Sequence, residues 1–343
     1  MNGKSLFMAG SLLMAGLAGQ AAQAHQWGCW IQEDRNIRIR NGGGSQASAA
    51  INDWNSMTIL NFSYVSSGEE IFVSAANSGA TGWGDLVRIT AYDGCTIHRC
   101  TAQINTYYYS STSTAARGMF CQAIGHCLGL DHSNDGGCMG GGYWYDIGTH
   151  YTIVQGNINE IGSMYANRIA GQSLVTGEHG GDGHGEESPR FHGNWFYNPR
   201  TIREATRMAT HVVVATVTGV ADGAPIVNRT KDGYVSHIPT QRVSFDVANT
   251  RKGDLVPNES FVLFQNGDEQ NRFDEDPSYK IGHSYLLFLR PRPDGTYLVL
   301  SPEGRYEITP KGLAPATDRS FAPSLRGARI EDVVSDVDRA LEE

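Results

Sequence analysis

Cysteine is missing from the whole second half of this 343-residue chain: all six, Cys29, Cys95, Cys100, Cys121, Cys127 and Cys138, fall before residue 139. Positive charge is scarce as well, with 27 Lys and Arg against 36 Asp and Glu and a formal net charge of -9. A phosphate-binding surface needs a surplus of bases, so nucleic acid is not an expected partner. Beyond the first two dozen residues no apolar run approaches the ~20 residues of a membrane-crossing helix, and no stable membrane insertion is expected. The chain also lacks internal repeats.

What is present begins with a leader. Residues 1–24 combine Lys4, an apolar run from Leu6 to Ala18 and the small-x-small triplet Ala22, Gln23, Ala24. This is the pattern of a secretory signal cut after Ala24, which implies a secreted or periplasmic protein. An even number of clustered cysteines agrees, because an oxidising compartment uses them as staples. The expected pairs are Cys95 with Cys100 and Cys121 with Cys138, leaving Cys29 with Cys127 by elimination.

Composition divides the remainder. Residues 25–170 carry the cysteines. Residues 171–193 are rich in Gly, acid and His without a periodic apolar pattern, and are read as a linker; its His179, His184 and His192 could collect metal, but a solvated tether that contains imidazoles is the favoured reading. Residues 194–343 form a second unit. In the first unit a strand is expected around Ile37 and Ile39, then a helix carrying Ala47, Ala50, Ile51 and Trp54 behind a Ser45 cap. Further strands are expected at 60–65, 70–75 and 101–109, and a helix from Thr114 to Leu128 stopped by Gly129. The class expected for this unit is α+β. The second unit shows strand-like runs at 211–217, 242–247, 260–264, 285–289 and 296–300, the pattern of a small barrel or sandwich. Ile330, Val333, Val334, Val337 and Leu341 then share one helical face at the C-terminus.

The chemistry concentrates in Cys121 to Met139, CQAIGHCLGLDHSNDGGCM. His126 and His132 flank Gly129 as H-x-x-G-x-x-H. A glycine in the left-handed conformation ends the helix and turns His132 back toward His126. Gln122 lies one helical turn before His126 on the same face, so three side chains can converge.

These residues, with Met139 and the closing segment NINEIGSMYANR, resemble the metzincin clan of zinc endopeptidases, and within it the matrixin-like branch. The resemblance spans roughly residues 27–167 and implies an α+β metzincin-like catalytic-type domain. The family motif H-E-x-x-H-x-x-G-x-x-H supplies three zinc ligands and a proton-handling Glu, above a later Met. Carried onto this chain, the implied zinc ligands are Gln122, His126 and His132. The position of the Glu is Ala123, and Gly129 and Met139 are structural, as is a Cys121–Cys138 staple. The second unit resembles the netrin/tissue-inhibitor type of OB-like barrel, an all-β domain with a C-terminal helix. The resemblance rests on its strand runs and on the Lys252-Gly253-Asp254 and Asp294-Gly295 turns. This half has no cysteine, so the inhibitory amine of that family is not implied.

Two departures govern the function. Zinc prefers imidazole, thiolate and carboxylate to an amide oxygen, so Gln122 is a weak ligand. Ala123 moves no proton, and a positioned acid/base group contributes about 10²- to 10⁴-fold in rate. The leading expectation is a secreted pseudopeptidase that binds protein or peptide and, weakly, zinc. The alternatives are a working endopeptidase with a substitute base, for which Asp131, Asp135, Asp146 and His150 are candidates, and an extracellular structural or adhesion protein in which the histidines are core residues. Tyr143 and Tyr145 are better read as packed aromatics than as oxyanion donors, and His25 as an ordinary mature N-terminus.

Overall fold

The computed structural model describes residues 26–133, 136–140, 151–166, 168, 190–230 and 233–342. The expected leader, His25, His179, His184, Asp135, Tyr143, Tyr145, Asp146 and His150 lie outside them.

Alternation builds the first sheet. In β2 (Asn36–Gly42), which follows the short β1 (Ile31–Gln32), Ile37 and Ile39 are buried while Asn36 and Arg38 face solvent. Helix α1 (Ser45–Met57) then turns Ala47, Ala50, Ile51 and Trp54 into the core. Its N-cap is Gly44, at φ 81°, and no side chain caps it; Ser45 is the first helical residue rather than the expected cap. Next come β3 (Asn61–Tyr64), β4 (Ile71–Ala76), β5 (Trp83–Asp93) and β6 (Thr96–Asn105). Helix α2 (Thr114–Cys127) is capped by Ser113, whose hydroxyl accepts from the Ala116 N–H, and α3 (Gln155–Tyr165) follows. Strand β7 (Arg190–Trp195) completes the sheet, in the order β3-β2-β4-β6-β5-β7 with β1 beside β6. The pairs among β2, β3, β4 and β6 are parallel, whereas β5 runs antiparallel to both β6 and β7. Trp54 Nε1 donates to the Cys121 carbonyl at 3.0 Å, and Arg117 donates to both Asp53 oxygens through Nε and Nη2, which fixes α1 against α2.

The second half contains α4 (Ile202–Met208), β8 (His211–Asp222), β9 (Ile226–Arg229), β10 (Val235–Ile238), β11 (Thr240–Lys252), β12 (Ser260–Asn266), β13 (Ser284–Pro291), β14 (Tyr297–Val299), β15 (Arg305–Thr309), β16 (Gly312–Pro315) and α5 (Ile330–Glu342). Because β14 pairs with both β12 and β13, the ring β14-β12-β11-β8-β13 closes into a five-stranded barrel, and β15 and β16 extend from β13. The seam between β12 and β14 closes at one residue pair, Leu263 with Tyr297. The interior of the ring holds Val213, Val243, Phe245, Leu287 and Leu289, among others. In α5 the buried stripe is Val333, Val334, Val337 and Ala340; Leu341 is 40% exposed and falls off it.

Three expectations are corrected. The class is not α+β with a helix-rich, metzincin-like first domain followed by a separate barrel. The protein is mostly β, with 40% of the described residues in strands against 23% in helices, and β7, from beyond residue 171, is an edge strand of the first sheet. The linker therefore ends before residue 190: Phe191 and Trp195 pack with Trp83, Leu86, Ile238 and Phe273, while His192 and Asn194 point to the opposite face. The disulfides are Cys29–Cys95, Cys100–Cys127 and Cys121–Cys138. Cys95 and Cys100 cannot pair, because five residues of nearly extended β6 separate them by about 16 Å, well past the ~7 Å reach of a disulfide.

The halves meet through buried polar contacts as well as apolar ones. Trp83 Nε1 donates to Asn266 Oδ1 at 3.2 Å, Asn266 Nδ2 to the Thr81 carbonyl at 2.9 Å, and Ser78 Oγ to Asn228 Oδ1 at 2.9 Å. Phe273, in the connection between β12 and β13, stacks on Phe191 at 5.2 Å. No helix among the described residues is long and apolar enough to cross a membrane. The three disulfides fit an oxidising environment.

A buried three-histidine cluster as candidate metal centre

The last turn of α2 presents His126 inward, and the chain must then reverse. Gly129 does this at φ 91°, its N–H bonding to the His126 carbonyl at 2.9 Å. A Cβ there would stand 1.9 Å from the Trp30 carbonyl oxygen, so only glycine fits. The reversal carries His132 to within 4.9 Å of His126, ring centre to ring centre. Below them Met139 is fully buried, with its sulfur so close to Gly125 that a Cβ would meet it at 2.3 Å. The Cys121–Cys138 bridge ties this turn to α2.

The third member is not Gln122. Its Oε1 accepts a short hydrogen bond from Asn194 Nδ2, which also donates to Asp85 Oδ2 at 3.0 Å. The third imidazole is His192 on β7, 4.1 Å from the ring of His126 and 5.5 Å from that of His132. One ligand atom from each of the three histidines lies within 4.8 Å of the other two, an arrangement that could hold a metal ion.

The chemistry of these donors fits a cation. His126 Nδ1 donates to the Leu130 carbonyl at 2.7 Å, which sets the tautomer and leaves Nε2 as a lone pair. His126 Nε2 and His132 Nε2 are buried without a hydrogen-bond partner among the described residues, whereas both nitrogens of His192 are engaged, Nδ1 against the Glu275 carboxyl and Nε2 with Arg319. Burial holds all three imidazoles well below their ordinary pKa. Their mutual proximity adds to the shift for His126 and His132, and the charge of Arg319 adds to it for all three. The rings are therefore neutral, the state a metal requires.

The second half supplies the surroundings. Glu275, in the β12–β13 connection, contacts His192 and accepts from the Gly193 N–H at 3.4 Å; burial pushes its carboxyl pKa up. Arg319, beyond β16, reaches Glu275 at 3.3 Å, His192 Nε2 at 3.4 Å and Asp131 at 3.5 Å. Trp27 closes another side, its ring 4.7 Å from that of His192. Ala123 is fully buried in the core. Asp131 is occupied by the His132 N–H and Arg319. Behind the cluster, Asp85 is fully buried and its pKa is pushed up to about 8 by burial, against the opposing hydrogen bond from Asn194.

Sequence reasoning thus set His192 aside as part of a solvated tether and missed Asn194, Asp85, Glu275 and Arg319. One signal was available: Phe191, Gly193 and Trp195 alternate with His192 and Asn194 at the two-residue period of a strand. No protein-family model matches the chain, and no curated protein matches it.

Proposed function

We propose that this is an exported zinc-binding protein, similar to metzincin peptidases in its metal motif, that does not cut polypeptides efficiently. His126, His132 and His192 are the zinc-holding residues, a set of three imidazoles that zinc accepts readily. Bound there, zinc would polarise a carbonyl or activate water. The carrying observation is that one ligand atom from each of the three histidines lies within 4.8 Å of the other two, with His126 Nε2 and His132 Nε2 lacking hydrogen-bond partners among the described residues. The motif position that would move the proton is Ala123, and Glu275 and Arg319 from the second half lie against the cluster, where an open cleft would be needed.

The test is metal analysis of full-length protein purified without chelating tags, paired with a cleavage assay on a protein substrate. About one zinc per chain and no cleavage supports the reading. No zinc, or cleavage by the wild type that disappears in His126→Ala, overturns it.

A further inference from the structure

Beside His132 lies a cavity of about 200 Å³, whose walls include Asn194, Trp195, Asn198, Glu303 and Arg319. Its size decides what it admits. Pockets for drug-sized ligands span about 300–1,000 Å³, so this one takes a few heavy atoms and not a length of polypeptide.

Its chemistry is that of an anion site. Arg319 brings a full positive charge, and it engages His192, Glu275 and Asp131 through Nη2, so the other donors of the fork are not used in these contacts. Glu303, a wall residue that is more than nine-tenths buried, carries a polar atom without a partner among the described residues, Oε2. Burial raises the pKa of Glu303, which favours a neutral carboxyl able to donate. Asp131 and Glu275 nearby disfavour a dianion, whereas a planar guanidinium matches the two oxygens of a carboxylate.

Deepening the metal-centre reading, we infer that this cavity binds a small monocarboxylate, with Arg319 as its anchor, next to His132 of the metal cluster. The ligand class is therefore a small organic acid rather than a peptide chain.

Cobalt serves as a visible stand-in for zinc. Full-length cobalt-loaded protein is titrated with acetate and, separately, with an uncharged capped tetrapeptide, while the visible spectrum is recorded. Acetate should shift the bands with saturation and the peptide should not. Arg319→Ala should weaken acetate by about tenfold or more, the loss expected for one charged hydrogen bond. Asn198→Trp, which fills the cavity away from the imidazoles, should abolish the acetate response while cobalt stoichiometry stays unchanged. A peptide response equal to that of acetate, or unaltered acetate binding in both variants, overturns the inference. If no cobalt binds, the metal reading fails, and calorimetry of metal-free protein with acetate decides the cavity separately. Heat lost in Arg319→Ala supports an anion site, and absence of heat overturns it.

Discussion

The rings of His126 and His192 stand 4.1 Å apart, one on the last turn of α2 and the other on strand β7 from the far side of the linker segment. The candidate metal centre is thus built by sheet pairing as well as by a helix-and-turn motif. That pairing makes the ligand set testable residue by residue.

Single replacement of His126, His132 or His192 by Ala should weaken zinc by more than about 100-fold, beyond the range seen for supporting residues around a metal. Gln122→Ala should leave zinc stoichiometry unchanged, since its oxygen is engaged by Asn194. Competition with a chromophoric chelator measures both. Retention of zinc by His192→Ala together with its loss in Gln122→Ala would restore the ligand set expected from the motif alone.

Asp85 makes stability depend on pH. The folded carboxyl keeps its proton up to about pH 8, whereas the unfolded one releases it near 3.8. Between these values the folded state binds more protons, so the contribution is fully favourable below about pH 4 and is lost as pH rises through 8. Asp85→Asn, which keeps the shape and an acceptor for Asn194, should match the wild type near pH 4. At pH 9 it should exceed the wild type by on the order of several kcal/mol. Urea midpoints at pH 4, 6 and 9 check this; a difference that does not change with pH would refute it.

The helix stop is similarly exposed to test. Gly129→Ala places a side chain at φ 91° and 1.9 Å from the Trp30 carbonyl. It should cost about 3 kcal/mol or more, combining left-handed strain with a backbone clash. A melting temperature within a degree or two of the wild type would contradict the geometry.

The Cys121–Cys138 bridge spans 17 residues. Replacing both cysteines by Ser should destabilise the chain by about 3 kcal/mol on loop entropy. Because the bridge also fixes the turn that carries Met139, zinc affinity should fall with it. Denaturant unfolding and chelator competition on the same variant separate the two effects.

Much of the first sheet and of the helix-to-turn segment was legible because those features are local. The Ile37/Ile39 alternation, the Ala47-to-Trp54 stripe and the Gly129 break each lie within a dozen residues. His192 was not, since it closes a Gly-, acid- and His-rich stretch whose composition resembles a tether, and the two-residue alternation that gives it a strand conformation begins only at Phe191. Glu275 and Arg319 sit in connections, where no periodicity marks a residue, and only the docking of the two halves brings them to the histidines. The mispaired cysteines have the same origin. Cys95 and Cys100 are close in sequence, but β6 is extended, so each bonds to a partner from another element.

Strand β7 gives its hydrogen bonds to β5, the last strand of the sheet contributed by the first half. A fragment ending at residue 168 would therefore bare the main-chain donors and acceptors of β5 to any passing chain, together with the face around Trp83 and Leu86. Such a fragment should self-associate rather than behave as an independent module. The first half is complete only when the polypeptide returns to finish it.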